Sequence, residues 1–172
     1  MRLKLKFFGT PVAMPDLVPG DLAFADKHDW MILFLVVGTA ARKEYIVLRR
    51  WPERADVRVP HPIAGEAFNG CAFRRIDDEL LLKRPGFDDA DIGQLCAQFP
   101  MHADNGNIVV YGETRFALHV TTQRNAVFWD MQSGADIAIA TGEIAHVITH
   151  WQLVCVDGDD QMVLCEFNVP IA

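Results

Sequence analysis

Met31-Ile32-Leu33-Phe34-Leu35-Val36-Val37 is an unbroken apolar run, and its length decides the fold. A membrane-crossing helix needs about 20 such residues, so this run is too short to span a bilayer. Its β-branched content and the turns on either side read as a strand. Before it, Lys27–Asp29 turns the chain back to a short strand, Leu22–Ala25, which Pro19-Gly20-Asp21 opens. After it, Gly38–Lys43 reverses the chain into Tyr45–Leu48. A strand–turn–strand series of this kind begins meanders and small barrels, including SH3-like ones, an analogy of fold that carries no function.

The same punctuation continues in both directions. Arg2-Leu3-Lys4-Leu5-Lys6-Phe7 alternates strictly and reads as a half-buried strand. Its basic start and Ala23-Phe24-Ala25 imitate a signal peptide, but Pro11, Pro15, Asp16, Pro19 and Asp21 interrupt the apolar stretch one requires. Pro52 and Pro60 bracket a short edge strand at Asp56–Val59, and two further strands are expected at Cys71–Ile76 and Leu80–Lys83. Asp89–Phe99 reads as a helix. Asp88 caps it, Asp89 and Asp91 suit the positive end of its dipole, and Pro100 ends it. Its apolar positions Ile92, Leu95, Cys96 and Phe99 have helical spacing. Strands follow at Ile108–Tyr111, Arg115–Thr121, Ala126–Met131 and Asp136–Ala140. A last hairpin joins Gln152–Val156 to Gln161–Phe167 across Asp157-Gly158-Asp159-Asp160.

The expected fold is therefore mainly β (α+β): an antiparallel meander or small barrel-like sheets with one or two short helices. At 172 residues the chain suits one domain, 1–172. Two lobes, 1–86 and 101–172, joined by a helix near 89–99, are the alternative organisation. Hydrophobic residues at 51 % and charged residues at 23 % are an ordinary globular balance, which argues against disorder.

Charge divides the chain unevenly. Of 16 Lys and Arg, 14 lie in residues 1–86, whereas the 23 acids split 11 and 12, so the two halves carry net charges of +3 and −10. No lysine follows Lys83. Such a distribution repels nucleic acid and membrane surfaces and attracts a basic protein partner. Oppositely charged halves can also meet head to tail between copies, so a homo-oligomer fits the same pattern. The basic doublets Arg42-Lys43, Arg49-Arg50, Arg74-Arg75 and Lys83-Arg84 do not make a nucleic-acid patch, because adjacent strand residues point to opposite faces.

The four cysteines, Cys71, Cys96, Cys155 and Cys165, are widely spaced and form no C-x-x-C pair. That argues against a zinc ribbon and a dense secreted disulfide framework, and free thiols point to a cytoplasmic protein. A tight turn at Asp157-Gly158 places Cys155 and Cys165 on opposite faces of their hairpin, which also argues against a bridge.

The best chemical constellation is Thr141–Trp151. As a helix it aligns Glu143, His146 and His150, which have the donor types for a divalent metal such as zinc. As a strand, the two histidines share a face and Glu143 moves to the other. A fourth ligand would come from His119 or His102. The spacing is not H-E-x-x-H, and the plainer reading makes Glu143 an ion-pair partner on a solvated face. No cysteine carries a nucleophile signature, and no phosphate-binding glycine loop occurs. The chain's one serine, Ser133, sits in a turn, which argues against serine catalysis. The sequence thus supports a soluble, non-enzymatic interaction protein, inhibitor- or immunity-like or an assembly subunit, whose acidic half binds a basic partner. A metal-dependent hydrolase or metal-binding protein using Glu143, His146 and His150 is the alternative.

Overall fold

The computed structural model describes residues 9–85, 97–98, 103–112, 115–122, 125–139 and 145–169. Within them the strands are β1 (Thr10–Val12), β2 (Leu22–Lys27), β3 (Trp30–Gly38), β4 (Lys43–Trp51), β5 (His61–Ile63), β6 (Ala72–Arg75) and β7 (Glu79–Lys83). They continue as β8 (Ala97–Gln98), β9 (Ile108–Tyr111), β10 (Arg115–Thr121), β11 (Ala126–Asp130) and β12 (Asp136–Ile137). The last three are β13 (Ala145–Ile148), β14 (His150–Asp157) and β15 (Asp160–Asn168). Two 3-10 turns, Met14–Asp16 and Gly65–Phe68, are the helical elements among the described residues.

The fold is mainly β, built as three open antiparallel sheets rather than a closed barrel. The first has the order β1-β6-β2-β3-β4-β5, the second β12-β11-β10-β9-β13-β8, and the third β15-β14-β7. The expected meander is the β2-β3-β4-β5 part of the first sheet. Its last member is His61–Ile63, which pairs with Tyr45–Val47; the strand expected at Asp56–Val59 does not form. The helix expected at 89–99 lies outside the described residues except at Ala97–Gln98, which pair with β13 as a strand.

The apolar run around Phe34 is buried from Ile32 to Val37 because the first sheet is covered on both faces. Leu33, Leu35 and Val37 face one cluster; Ile32, Phe34 and Val36 face another with Leu17, Tyr45 and Phe68. The first cluster also takes Ile108, Leu118 and Trp129 from the second sheet and Trp151, Leu153 and Phe167 from the third. Residues from both halves of the chain therefore enter one apolar cluster. Each such side chain contributes about 1.5–3 kcal/mol by leaving water. Where the first and second sheets touch, Gly38 N–H donates to the Gly134 carbonyl at 2.8 Å. Gly134 has φ +68°, and a Cβ there would lie 2.5 Å from Gly20 N, so only glycine permits this approach.

Two β-bulges set which side chains reach the space between the first and third sheets. In β4 the pairing with β3 shifts at Leu48, so Arg49 lies opposite Leu33 and Trp51 opposite Met31. An unbulged strand would turn Arg50 toward the core and Arg49 and Trp51 away from it. In β15 the pairing with β14 shifts at Leu164, which turns Cys165 and Phe167 to the core side. The two bulges face each other: Arg49 Nη1 donates to the Leu164 carbonyl at 3.0 Å. That guanidinium joins the two sheets where each ladder is interrupted.

Candidate functional site

Sheet register collects carboxylates at one end of the third sheet. Glu79 starts β7 opposite Val156, next to the turn that ends β14, so Asp77-Asp78-Glu79 lie beside the hairpin tip Asp157-Gly158-Asp159-Asp160. Asp77, Asp78, Glu79, Asp159 and Asp160 are exposed, as strand ends and tight turns leave them. A hydrogen bond from Thr10 and then one from Arg75, whose Nε donates to Asp77 Oδ1 at 2.7 Å, hold the Asp77 carboxyl below its usual range. The charge split along the sequence pointed to the second half alone. Half of this carboxylate group comes from the first half, through a pairing of β7 with β14 across more than 70 residues that no local pattern announces.

Cys155 lies under these acids. It is buried, and its Sγ donates to Asp78 Oδ2 at 3.9 Å. Burial pushes the thiol up from its ordinary value, and the negative charges of Asp78 and Asp157 push it further. Cys165 is pushed up to about 12 by burial, against a smaller opposing effect of Arg49. Neither thiol is a poised nucleophile. The Leu164 bulge corrects the expectation that they occupy opposite faces, because Cys165 pairs with Leu153 on the core side that Cys155 shares. Diagonal neighbours in such a ladder are about 7–8 Å apart, beyond reach of a bridge, and both thiols are free.

The two described histidines of the candidate metal site fall in different sheets. Thr149 bends the chain between β13 and β14, so His146 belongs to the second sheet and His150 to the third. His146 lies opposite Val110, on the side of the sheet that faces the shared cluster. His150 sits on the outer face of the third sheet, with Nε2 2.6 Å from Glu166 Oε1. Hydrogen bonds from His150 and Gln152 hold the Glu166 carboxyl below its usual range. The face shared in the strand reading is lost because the strand is not continuous. Glu143 and His102 lie outside the described residues. His119 is buried against Phe128, on the opposite side of the second sheet from His146. Among the described residues no group of three or more His, Cys, Asp or Glu is placed to hold a metal ion.

Ser133 serves the fold instead. Its N–H and Oγ donate to Asp130 Oδ1 at 2.7 and 2.9 Å, closing the turn after β11. Burial raises the Asp130 carboxyl, but hydrogen bonds from Tyr111, Ser133 and Gln132 outweigh it and hold the group ionised.

A cleft of about 570 Å³ opens between the first sheet and β15. Phe24, Met31, Trp51 and Ala72 form its floor, and Met162 to Leu164 form a wall. The Arg49 guanidinium lies over the Trp51 ring, 4.6 Å from its centre. Phe24 and Trp51 have their ring centres 6.1 Å apart. Sequence reading missed this site because its floor comes from four strands and its orientation from a bulge. Val163, 42 % exposed and apolar, marks its rim.

No family model, characterised protein or solved structure matches the chain.

Proposed function

We propose that this chain is a non-enzymatic binding protein that engages a basic protein partner through the carboxylate end of its third sheet. The reading rests on one observation: strand pairing brings Asp77, Asp78 and Glu79 from one half beside Asp157, Asp159 and Asp160 from the other. Carboxylates held on a paired sheet end present fixed charge without the entropy loss that long, mobile side chains suffer on binding. Clustered like charge speeds encounter with an oppositely charged surface, and salt screens that attraction. The net charge of −7 adds a weaker, distributed attraction of the same sign.

The test separates position from net charge. Binding of a lysine-rich peptide is measured for the native chain, for the triple variant Asp157→Asn, Asp159→Asn, Asp160→Asn, and for Asp16→Asn, Glu44→Gln, Glu66→Gln. Both triples change net charge equally. The proposal expects binding to collapse in the first and persist in the second. Equal weakening in both would reduce the attraction to overall charge and refute a localised site.

A further inference from the structure

The cleft beneath β15 has a layout that selects a ligand, independently of the carboxylate end. Register places Arg74, Phe24, Leu33 and Arg49 in one crosswise row on four neighbouring strands. The next row toward the Lys27–Trp30 turn is Ala72, Asp26, Met31 and Trp51. Three strand spacings of about 4.8 Å set the two arginines roughly 14 Å apart, on either side of Phe24 at the inner end of the cleft. Carboxylates lie farther out, with Asp26 in the outer row and Asp29 in the turn, and Lys27 and His28 also belong to that turn. The Arg49 guanidinium is fixed by Trp51 beneath it and by the Leu164 carbonyl, while Nη2 reaches Glu53 at 3.4 Å. A guanidinium has five N–H donors, so these two hydrogen bonds leave it able to meet a bound anion.

We propose that this cleft binds a small amphipathic monoanion: one carboxylate or sulfonate group on an apolar or aromatic body. The anionic head meets Arg49, and the body lies on Phe24, Met31 and Trp51; Arg74, whose Nη1 donates to the Gly9 carbonyl at 3.2 Å, adds a second positive charge to the inner row. Asp26 and Asp29 disfavour a second negative charge at the outer end. The volume of about 570 Å³ falls within the roughly 300–1,000 Å³ of small-molecule sites. An extended peptide adding to the edge of β15 fits less well. The ladder is interrupted there at Leu164, and Arg49 already takes that carbonyl.

The test titrates the full chain with 8-anilinonaphthalene-1-sulfonate and with N-phenyl-1-naphthylamine, the same body without the charge. The native chain should bind the sulfonate more tightly than the neutral amine, with decanoate competing. Arg49→Gln should weaken sulfonate binding by about tenfold or more, as loss of a charged hydrogen-bonding partner does, and leave the amine unchanged. Ala72→Trp, which fills the cleft from an exposed floor position, should abolish both. If Arg49→Gln does not fold, the difference between the two probes on the native chain and the loss of both in Ala72→Trp decide the proposal. Equal binding of the two probes by the native chain, absence of binding, or Ala72→Trp behaving as native would overturn the proposal.

Discussion

The two ends of the β14–β15 hairpin are built on opposite physical grounds. At one end Trp151 is fully buried, stacks on Phe167 at 4.6 Å, and donates its indole N–H to the Gly106 carbonyl at 2.8 Å. Asn107 Nδ2 donates to the Val169 carbonyl at 2.9 Å and ties down the chain just beyond β15. At the other end, exposed carboxylates crowd a tight turn and every added acid raises the local repulsion. Apolar burial holds the first end and is indifferent to salt. The second end gathers like charges that repel one another, and in the proposed function its charge is what attracts a partner. Stability and binding should therefore respond to changes at different ends of the same two strands.

The largest expected effect is at the anchored end. Trp151→Ala should destabilise by about 3–5 kcal/mol, which lowers Tm by roughly 6–20 °C, read by thermal unfolding. Next is Gly106→Ala. Gly106 has φ +93°, and a Cβ there would sit 3.1 Å from both Phe167 and Pro60. The strained backbone alone should cost about 1–3 kcal/mol in denaturant titration. At the charged end, Asp157→Asn, Asp159→Asn, Asp160→Asn should leave Tm unchanged or raise it slightly at low salt, with the rise vanishing at high salt. A loss of stability there would break the contrast.

The two thiols sharpen it. Both have folded pKa values raised above the ordinary 9.0, Cys165 to about 12. A raised value means the folded state holds its proton more tightly, so this stability is fully present below pH 9. It is lost as pH rises from there toward the folded values. Neutralising Asp78 and Asp157 should lower the Cys155 value and leave Cys165 where it is, read from the NMR shift of each Cys Cβ against pH. Equal movement of both would mean that the carboxylates do not act locally. The smallest expected effect is zinc, which should leave the unfolding curve unmoved, because His146 and His150 belong to different sheets. A zinc-dependent rise in Tm that His150→Ala removes would contradict that placement.

Most of the sheet skeleton was legible in the sequence because it depends on local signals. The apolar run at Met31–Val37, the turns at Pro19-Gly20-Asp21 and Asp104–Asn107, and the Asp157–Asp160 hairpin all carry their chemistry within a few residues. What lay hidden depends on register. A bulge at Leu48 decides that Arg49 and Trp51, not Arg50, face the cleft. Another at Leu164 turns Cys165 to the core. No residue type in either strand demands a bulge; each arises from how two sheets meet. The bend at Thr149 was equally silent, since Thr141–Trp151 reads as either a helix or a strand and nothing in it marks where the chain passes from one sheet to the next. Adjacent arginines of a doublet take opposite faces of a strand, as Arg49 and Arg50 do. Arg49 and Arg74 come from separate doublets and share one cleft, whereas Arg50 turns away toward Trp30.

The central claim is that the carboxylate end is a localised site for a basic partner, and its salt dependence tests it most directly. Binding of a lysine-rich peptide to the native chain and to Asp157→Asn, Asp159→Asn, Asp160→Asn is followed from ~0.01 to ~1 M salt. Over that range the screening length falls from about 30 to about 3 Å. The account predicts tight binding by the native chain that falls steeply with salt, and weak binding with a shallower slope for the variant. Parallel slopes and equal affinities would contradict it.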